Sequence, residues 1–392
     1  MHLRVSKALL RSKPALSPSS NILDSLASTS TASLLPAASS SVRAIDVAEL
    51  PVLSQKHLKE SEVGKAMVYS EGFAKKILDN ELPRSLRKDL VLTSRPTTVL
   101  RKATVAIVEN LKAGKQLKVI LGGRSGTGRS TVLLQTIASC QDSGWLILHV
   151  PDANHLTDAR YAFSQPKGDG KMYEQPVVAQ ALLKRFLAAN DKAALGKLDK
   201  AVLQAVEKGS KELASASERL QTLLQSSSKQ TPILLAIDSA EALYKTSKYV
   251  TVENKLIEPS SLSVPALLRA CIEGSNSSYA SLSAIAALDK SSGLQVSSKQ
   301  VAKVSPGPLT RTEAAGIYQH MADTLLLESE PSDTSFLENL VGSDGNALLF
   351  TRGLRAIPGA TARGVVKKGK RRGVSVKNDR LHSITVTVDK EL

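Results

Sequence analysis

The apolar residues of this chain alternate between two rhythms. Four short runs are apolar almost throughout: LKVILGG (117–123), WLILHVP (145–151), TPILLAID (231–238) and SLSAIAALD (281–289). Their length and continuity predict strands buried on both faces. Between them the apolar positions recur at helical spacing, in TVLLQTIASCQDSG, QPVVAQALLKRFLAAN and PALLRACIEG. The stretch from Ala194 to Leu224 is mostly Ala, Leu, Lys and Glu and reads as helical and exposed. Strands alternating with helices imply an α/β fold with a mostly parallel sheet and helices on both faces. Ahead of the first strand, GKAMVYSEGFAKKILDN and TTVLRKATVAIVENLKAG both read as amphipathic helices, the second stopped by Gly114. After Pro308 the pattern is wholly helical, in TRTEAAGIYQHMADTLLL, PSDTSFLENLVG and GNALLFTRGLRAI. Near the end, HSITVTV (382–388) alternates and reads as a short strand.

The junction after the first apolar run carries the most specific chemistry. VILGGRSGTGRST follows the phosphate-loop pattern G-x-x-x-x-G-K-[ST] between a strand and a helix. Gly123 and Gly128 hold the required spacing and Ser130 the hydroxyl position. Glycines, with Gly126 and Thr127 between them, let successive N–H groups turn inward to wrap a phosphate, and the helix that follows adds its positive end. Ser130 would ligate Mg²⁺, and Thr131 would hydrogen-bond an α-phosphate. The departure is Arg129 in the lysine slot. Arginine still binds phosphate oxygens, but its planar fork differs from a compact ammonium. Nucleotide binding with weak hydrolysis at most is the expectation. ILLAID supplies Asp238 at a strand end, suited to the metal's water shell. Glu241, three residues on, either orients a water or is an ordinary surface carboxylate. Asp142 and Asp152 are poorer metal candidates. NKLI (254–257) has only the first half of a guanine-reading N-K-x-D motif, so base choice stays open at the level of residues. Arg311 and Arg352, in the C-terminal helical region, either reach phosphates from there or, the favoured reading, are surface or rRNA contacts.

Charge is concentrated at the two ends. The net charge is +16. Residues 1–45 contain five Lys/Arg against Asp24 and are otherwise rich in Ser, Leu and Ala, the composition of a mitochondrial transit peptide with a cleavage point near Arg43. Residues 352–392 carry eleven Lys/Arg against three acids. Lys367, Lys368, Lys370, Arg371 and Arg372 lie within six residues, with glycines around them and no aromatics interleaved. Such a run suits a phosphate backbone rather than base stacking. The two cysteines, Cys140 and Cys271, have no metal or redox spacing and argue for a reducing compartment. No apolar run reaches the roughly 18 residues of a membrane helix, which argues for a soluble protein.

Taken together, SRPTTVLRKAT, LGGRSGTGRST, GWLILHVPDA, YEQPVVAQALLKRFLAAN, ILLAIDSAEALY and GNALLFTRGLRAI resemble, in this order, the death-associated protein 3 family, P-loop proteins of the mitochondrial ribosomal small subunit. That resemblance implies an AAA+-like P-loop NTPase fold with a C-terminal helical lid. It implies a location in the mitochondrial matrix, on the ribosome, with small-subunit rRNA, other small-subunit proteins and large-subunit bridge proteins as neighbours. It further implies a bound guanine nucleotide, GTP or GDP, with Mg²⁺, although the loop itself also suits ATP. By position it assigns Gly126, Gly128, Arg129, Ser130 and Thr131 to the phosphates and Asp238 to the metal side. The implied organisation is a transit peptide over 1–43, a helical extension over 44–115, a P-loop domain over 116–305, a lid over 306–356 and a basic tail over 357–392. Two other functional classes stay open on residues alone: an active NTPase switch or motor of the matrix, and a matrix adaptor without nucleotide.

Overall fold

The computed structural model of the chain describes residues 50–355, apart from 79–81, 83–85, 88–89, 91–92, 94, 114–115, 166–171, 290–300, 325 and 328–330, together with the backbone of two strands at 374–376 and 386–388. The N-terminal leader and the cluster Lys367, Lys368, Lys370, Arg371 and Arg372 lie outside the described residues.

The four apolar runs form strands, joined by a fifth. After a two-stranded antiparallel ribbon of β1 (Ala66–Val68) and β2 (Thr97–Val99), the central strands are β3 (Lys118–Gly123), β4 (Leu146–Val150), β5 (Ile233–Ile237), β6 (Ser283–Asp289) and β7 (Val301–Val304). They make one sheet in the order β4-β5-β6-β3-β7, and every pairing in it is parallel. Because side chains alternate along a strand, each run feeds two cores. Val119, Leu121, Ile147 and Leu234 pack against α1 (Lys102–Lys112) and α2 (Arg129–Asp142). Leu146, Leu148, Leu235 and Ile237 pack against the opposite layer, built from α3 (Pro176–Ala189), α4 (Lys200–Lys211), α5 (Ala216–Gln225) and α6 (Ser263–Glu273). Fully burying one such Leu or Ile side chain is worth about 1.5–3 kcal/mol. That is why unbroken apolar runs, rather than alternating ones, specify this sheet.

The C-terminal helices α7 (Arg311–Asp323), α8 (Asp333–Gly342) and α9 (Ala347–Leu354) surround their own small core of Leu309, Ala314, Met321, Phe336, Phe350 and Leu354. Beyond them, β8 (Val374–Val376) pairs antiparallel with β9 (Val386–Val388), so the alternating HSITVTV segment does end in a strand.

Three sequence expectations change. The segment GKAMVYSEGFAKKILDN is not one helix: among its described residues, Ala66–Val68 is a strand and Glu71–Leu78 is helical. Likewise Thr97–Val99 belongs to the ribbon and the helix begins at Lys102. The stretch 194–224 is helical but not continuous, and it is exposed on one face only. It breaks at Gly196 and Glu212, and Val206, Leu220, Leu223 and Leu224 are fully buried against α3. The strand β7 was not expected; it is short, and two of its residues, Ala302 and Lys303, face solvent.

Candidate functional site

Parallel pairing brings the carboxyl ends of β5, β6 and β3 side by side, and ligands of open α/β sheets bind outside such strand ends. Three features meet there. The Gly123–Gly128 loop leaves β3, Asp289 closes β6, and Asp238 follows β5.

The loop turns because its glycines adopt backbone angles closed to other residues. Gly126 and Gly128 have φ of +83° and +90°. Gly128 caps α2, and a Cβ there would strike the Arg101 guanidinium; one on Gly126 would strike Asn346. Thr127 folds back, its hydroxyl donating to Arg124 O at 2.9 Å. Among the described residues, none of the backbone N–H groups of Gly126, Gly128, Arg129, Ser130 and Thr131 donates to an acceptor in the chain. Five free donors at a glycine turn, on the positive end of a 14-residue helix, are the polar half of an anion cradle.

The strand ends supply charge. Asp238 is 8% exposed. Burial raises its pKa, opposed by a hydrogen bond from Ser130, by the Ser239 N–H, and by the nearby Arg129. Arg129 does not point into open space: its Nη2 donates to Asp289 Oδ2 at 2.8 Å, with both side chains mostly buried. The Asp289 N–H in turn donates to Glu241 Oε2 at 3.2 Å. Glu241 therefore belongs to the same cluster, on a turn at Ala240–Leu243, and is not an isolated surface carboxylate. Among the described residues no group of three or more His, Cys, Asp or Glu is arranged to hold a metal by itself. A Mg²⁺ here would draw on Ser130, Asp238 and ligand phosphates, the usual mixed coordination of that ion.

The loop is also held from behind. Arg101 Nη1 donates to Thr127 O at 3.1 Å, its Nε to Glu313 Oε1 at 3.0 Å and its Nη2 to Pro306 O at 3.3 Å. On the other side, Asn346 Nδ2 donates to Ser125 O at 2.8 Å, and the Leu348 N–H to Gly126 O at 3.0 Å. Two loop carbonyls are thus occupied by the start of α9, which leaves the N–H side open.

Other sequence candidates lie in structural roles. Asp142 accepts the Gln55 N–H, and Asp152 caps the turn at Ala153–Leu156. Asn254, of NKLI, sits at φ +59° in a tight turn whose ends bridge at Val250 and Leu256. Arg311 and Arg352 are exposed. Cys140 and Cys271 are buried and unpaired, and burial pushes both thiols up to about 12.

Sequence reading passed over Asp289, Arg101, Glu313 and Asn346. A signal existed for two of them. Asp289 ends its apolar strand just as Asp238 follows ILLAI, and Thr310-x-x-Glu313 is a capping-box pattern, realised at the start of α7.

Comparison with known proteins matches the family described as mitochondrial ribosomal death-associated protein 3, over residues 97–229 and 197–304. The chain is similar to proteins named small ribosomal subunit protein mS29. It is 26% identical to that of Neurospora crassa over 203 residues, 46% of this chain and 43% of the relative. It is 24% identical to that of Bos taurus over 238 residues, 55% and 60% of the two chains. To that of Mus musculus it is 23% identical over 223 residues, 51% and 57%. The matches span about half the length of these relatives. The family match covers the central sheet, the loop and both strand-end aspartates, and on that ground the chain belongs to the mitochondrial ribosomal death-associated protein 3 family.

Proposed function

We propose that this protein is a structural component of the mitochondrial ribosomal small subunit that holds a guanine nucleotide in a P-loop. Family membership and the name shared by its relatives support the ribosomal part. One observation carries the nucleotide part: the loop between β3 and α2 presents five backbone N–H groups without acceptors, beside a buried Asp238 that is hydrogen-bonded to Ser130. In this reading Gly126, Thr127, Gly128, Arg129, Ser130 and Thr131 surround the phosphates, while Ser130 and Asp238 stand on the Mg²⁺ side. The α7–α9 helices act as the lid, with Asn346 and Leu348 fixing it to the loop. The basic cluster Lys367, Lys368, Lys370, Arg371 and Arg372 anchors rRNA through its phosphates.

The alternative, an active NTPase, requires a cation free to follow charge onto the transferring phosphoryl group. Arg129 is already committed to Asp289. Losing one well-placed charge of that kind costs about 10²–10³ in rate. Bound nucleotide then serves stability, contributing about 2.7 kcal/mol at a hundredfold excess over Kd. Sucrose-gradient sedimentation of a mitochondrial lysate tests the ribosomal reading. The protein co-sediments with the small subunit if that reading holds, and stays among free proteins if it does not.

A further inference from the structure

The C-terminal helices differ in charge from the rest of the molecule. Residues 312–351 contain seven Asp and Glu and no Lys or Arg, in a chain whose net charge is +16. The next segment reverses this: residues 352–392 carry eleven Lys/Arg against three acids. Three of the acids, Asp333, Glu338 and Asp344, are exposed on α8 or just after it. Among the described residues none of the three is in an ion pair. Beside them α8 exposes Leu337 (42%) and Val341 (67%). Residues four apart share a helix face, so Asp333, Leu337 and Val341 form one line, with Glu338 next to it. An exposed apolar pair rimmed by carboxylates repels RNA phosphates and fits a segment that is both apolar and cationic.

This chain contains such a segment in VVKKGKRR (365–372), where Val365 and Val366 precede Lys367, Lys368, Lys370, Arg371 and Arg372. The tether starts nearby. Helix α9 packs on α8 through Phe350 and Phe336 and ends at Leu354. The chain from Leu354 to Val365 spans up to about 36 Å when extended, more than twice the roughly 15 Å length of α8. Size decides between this occupant and a separate molecule. A stable interface between molecules buries about 1,200 Å² or more. Two apolar side chains on a 10-residue helix fall well short of that. A tethered segment needs far less, because its local concentration is on the order of millimolar.

We propose that the exposed face of α8 is a docking surface for residues 365–372 of the same chain in the free protein. The two valines lie over Leu337 and Val341, and the cations meet Asp333, Glu338 and Asp344. The contact involves no nucleotide. The same cations are the proposed rRNA anchor, so in that reading α8 and rRNA compete for them, and the segment leaves α8 where RNA is present.

Limited trypsin digestion of the full chain tests this without RNA, so its outcome is independent of the rRNA reading. Trypsin cuts after Lys and Arg, and cleavage within 367–372 is measured relative to cleavage within 1–43. A docked population in tenfold excess over the free one slows cleavage about tenfold. The triple variant Asp333→Asn, Glu338→Gln, Asp344→Asn and the double variant Leu337→Ser, Val341→Ser each remove most of that protection at 0.15 M salt. Wild-type cleavage as fast as in both variants overturns the proposal. A second measurement stands should the variants fold poorly. With p-benzoylphenylalanine at Val341, irradiation of the micromolar protein joins this position to residues 363–373 of the same chain. Cross-linking to a second copy, to another part of the chain or to nothing overturns the proposal.

Discussion

Arg101 and Glu313 stand 212 residues apart in the chain and meet as an ion pair with side chains only 3% and 2% exposed. Each is bonded beyond the pair. Arg101 also reaches the loop at Thr127 O and the connector at Pro306 O. Glu313 accepts the Lys102 N–H at 2.9 Å and closes the capping box of α7 through the Thr310 N–H. Burial raises the pKa of Glu313, but the Arg101 charge and these N–H groups outweigh it, and the net shift is downward. The start of α1, the loop and the start of α7 are therefore tied through one guanidinium.

A buried pair of this kind is expected to be costly to break from one side. Arg101→Met leaves a buried carboxylate uncompensated, a loss of about 3–5 kcal/mol, and Glu313→Leu does the converse. The double variant loses less than the two singles added together, because neither charge is left behind. Urea unfolding of the four proteins measures this coupling. Additive losses would mean that the two groups act independently.

The loop glycines make a graded prediction. Gly126→Ala and Gly128→Ala each force a left-handed backbone on an L-residue, about 1–2 kcal/mol, and each adds an overlap, with Asn346 and with Arg101 respectively. Gly122 has open space where a Cβ would sit and no positive φ, so Gly122→Ala serves as the control and is nearly neutral. Thermal melts of the three variants give the ranking; a Gly122 variant as unstable as the others would mean that the strand end, not the turn, sets the cost.

Much of this was legible from sequence, and the limit has a physical cause. The loop, Ser130 and Asp238 are encoded locally, as residues a fixed few positions apart. The parallel sheet is visible because strands buried on both faces must be apolar throughout. The β1–β2 ribbon was not visible, since its pairing joins Ala66 to Val99 while Ala66, Tyr69, Phe73 and Ile77 also satisfy a helical spacing. Strand β7 is short, and its buried anchor Val301 is a single residue. Arg101 with Glu313, and Arg129 with Asp289, are contacts between distant segments, and no local pattern announces the partner of a charged side chain.

His149 on β4 predicts how stability responds to acid. Burial, together with the Arg185 charge, lowers its pKa to about 3. The folded state thus keeps the ring neutral, while the unfolded chain protonates it near 6.5. Its contribution is complete above pH 6.5 and falls as pH drops toward 3, at up to about 1.4 kcal/mol per pH unit. Unfolding free energies measured at pH 7 and pH 5 should differ less in His149→Leu than in wild type. An equal difference would show that His149 does not carry the acid response.

The tail prediction concerns salt. Replacing Lys367, Lys368, Lys370, Arg371 and Arg372 with Ser flattens the dependence of rRNA affinity on salt concentration. Five phosphate contacts contribute a slope of about −4 to −5 on logarithmic axes, with the duplex rule as an upper guide. Filter binding across a salt series reads the slope directly, and an unchanged value would mark the tail as solvated rather than bound.

The most direct test of the central claim is the nucleotide content of purified mitochondrial small subunits. Particles are denatured, and the released nucleotides are separated and counted against this protein. Guanine nucleotide close to one per protein is the expected result. Particles that contain the protein but release no nucleotide in proportion to it would contradict the claim that the Gly123–Ser130 loop holds one.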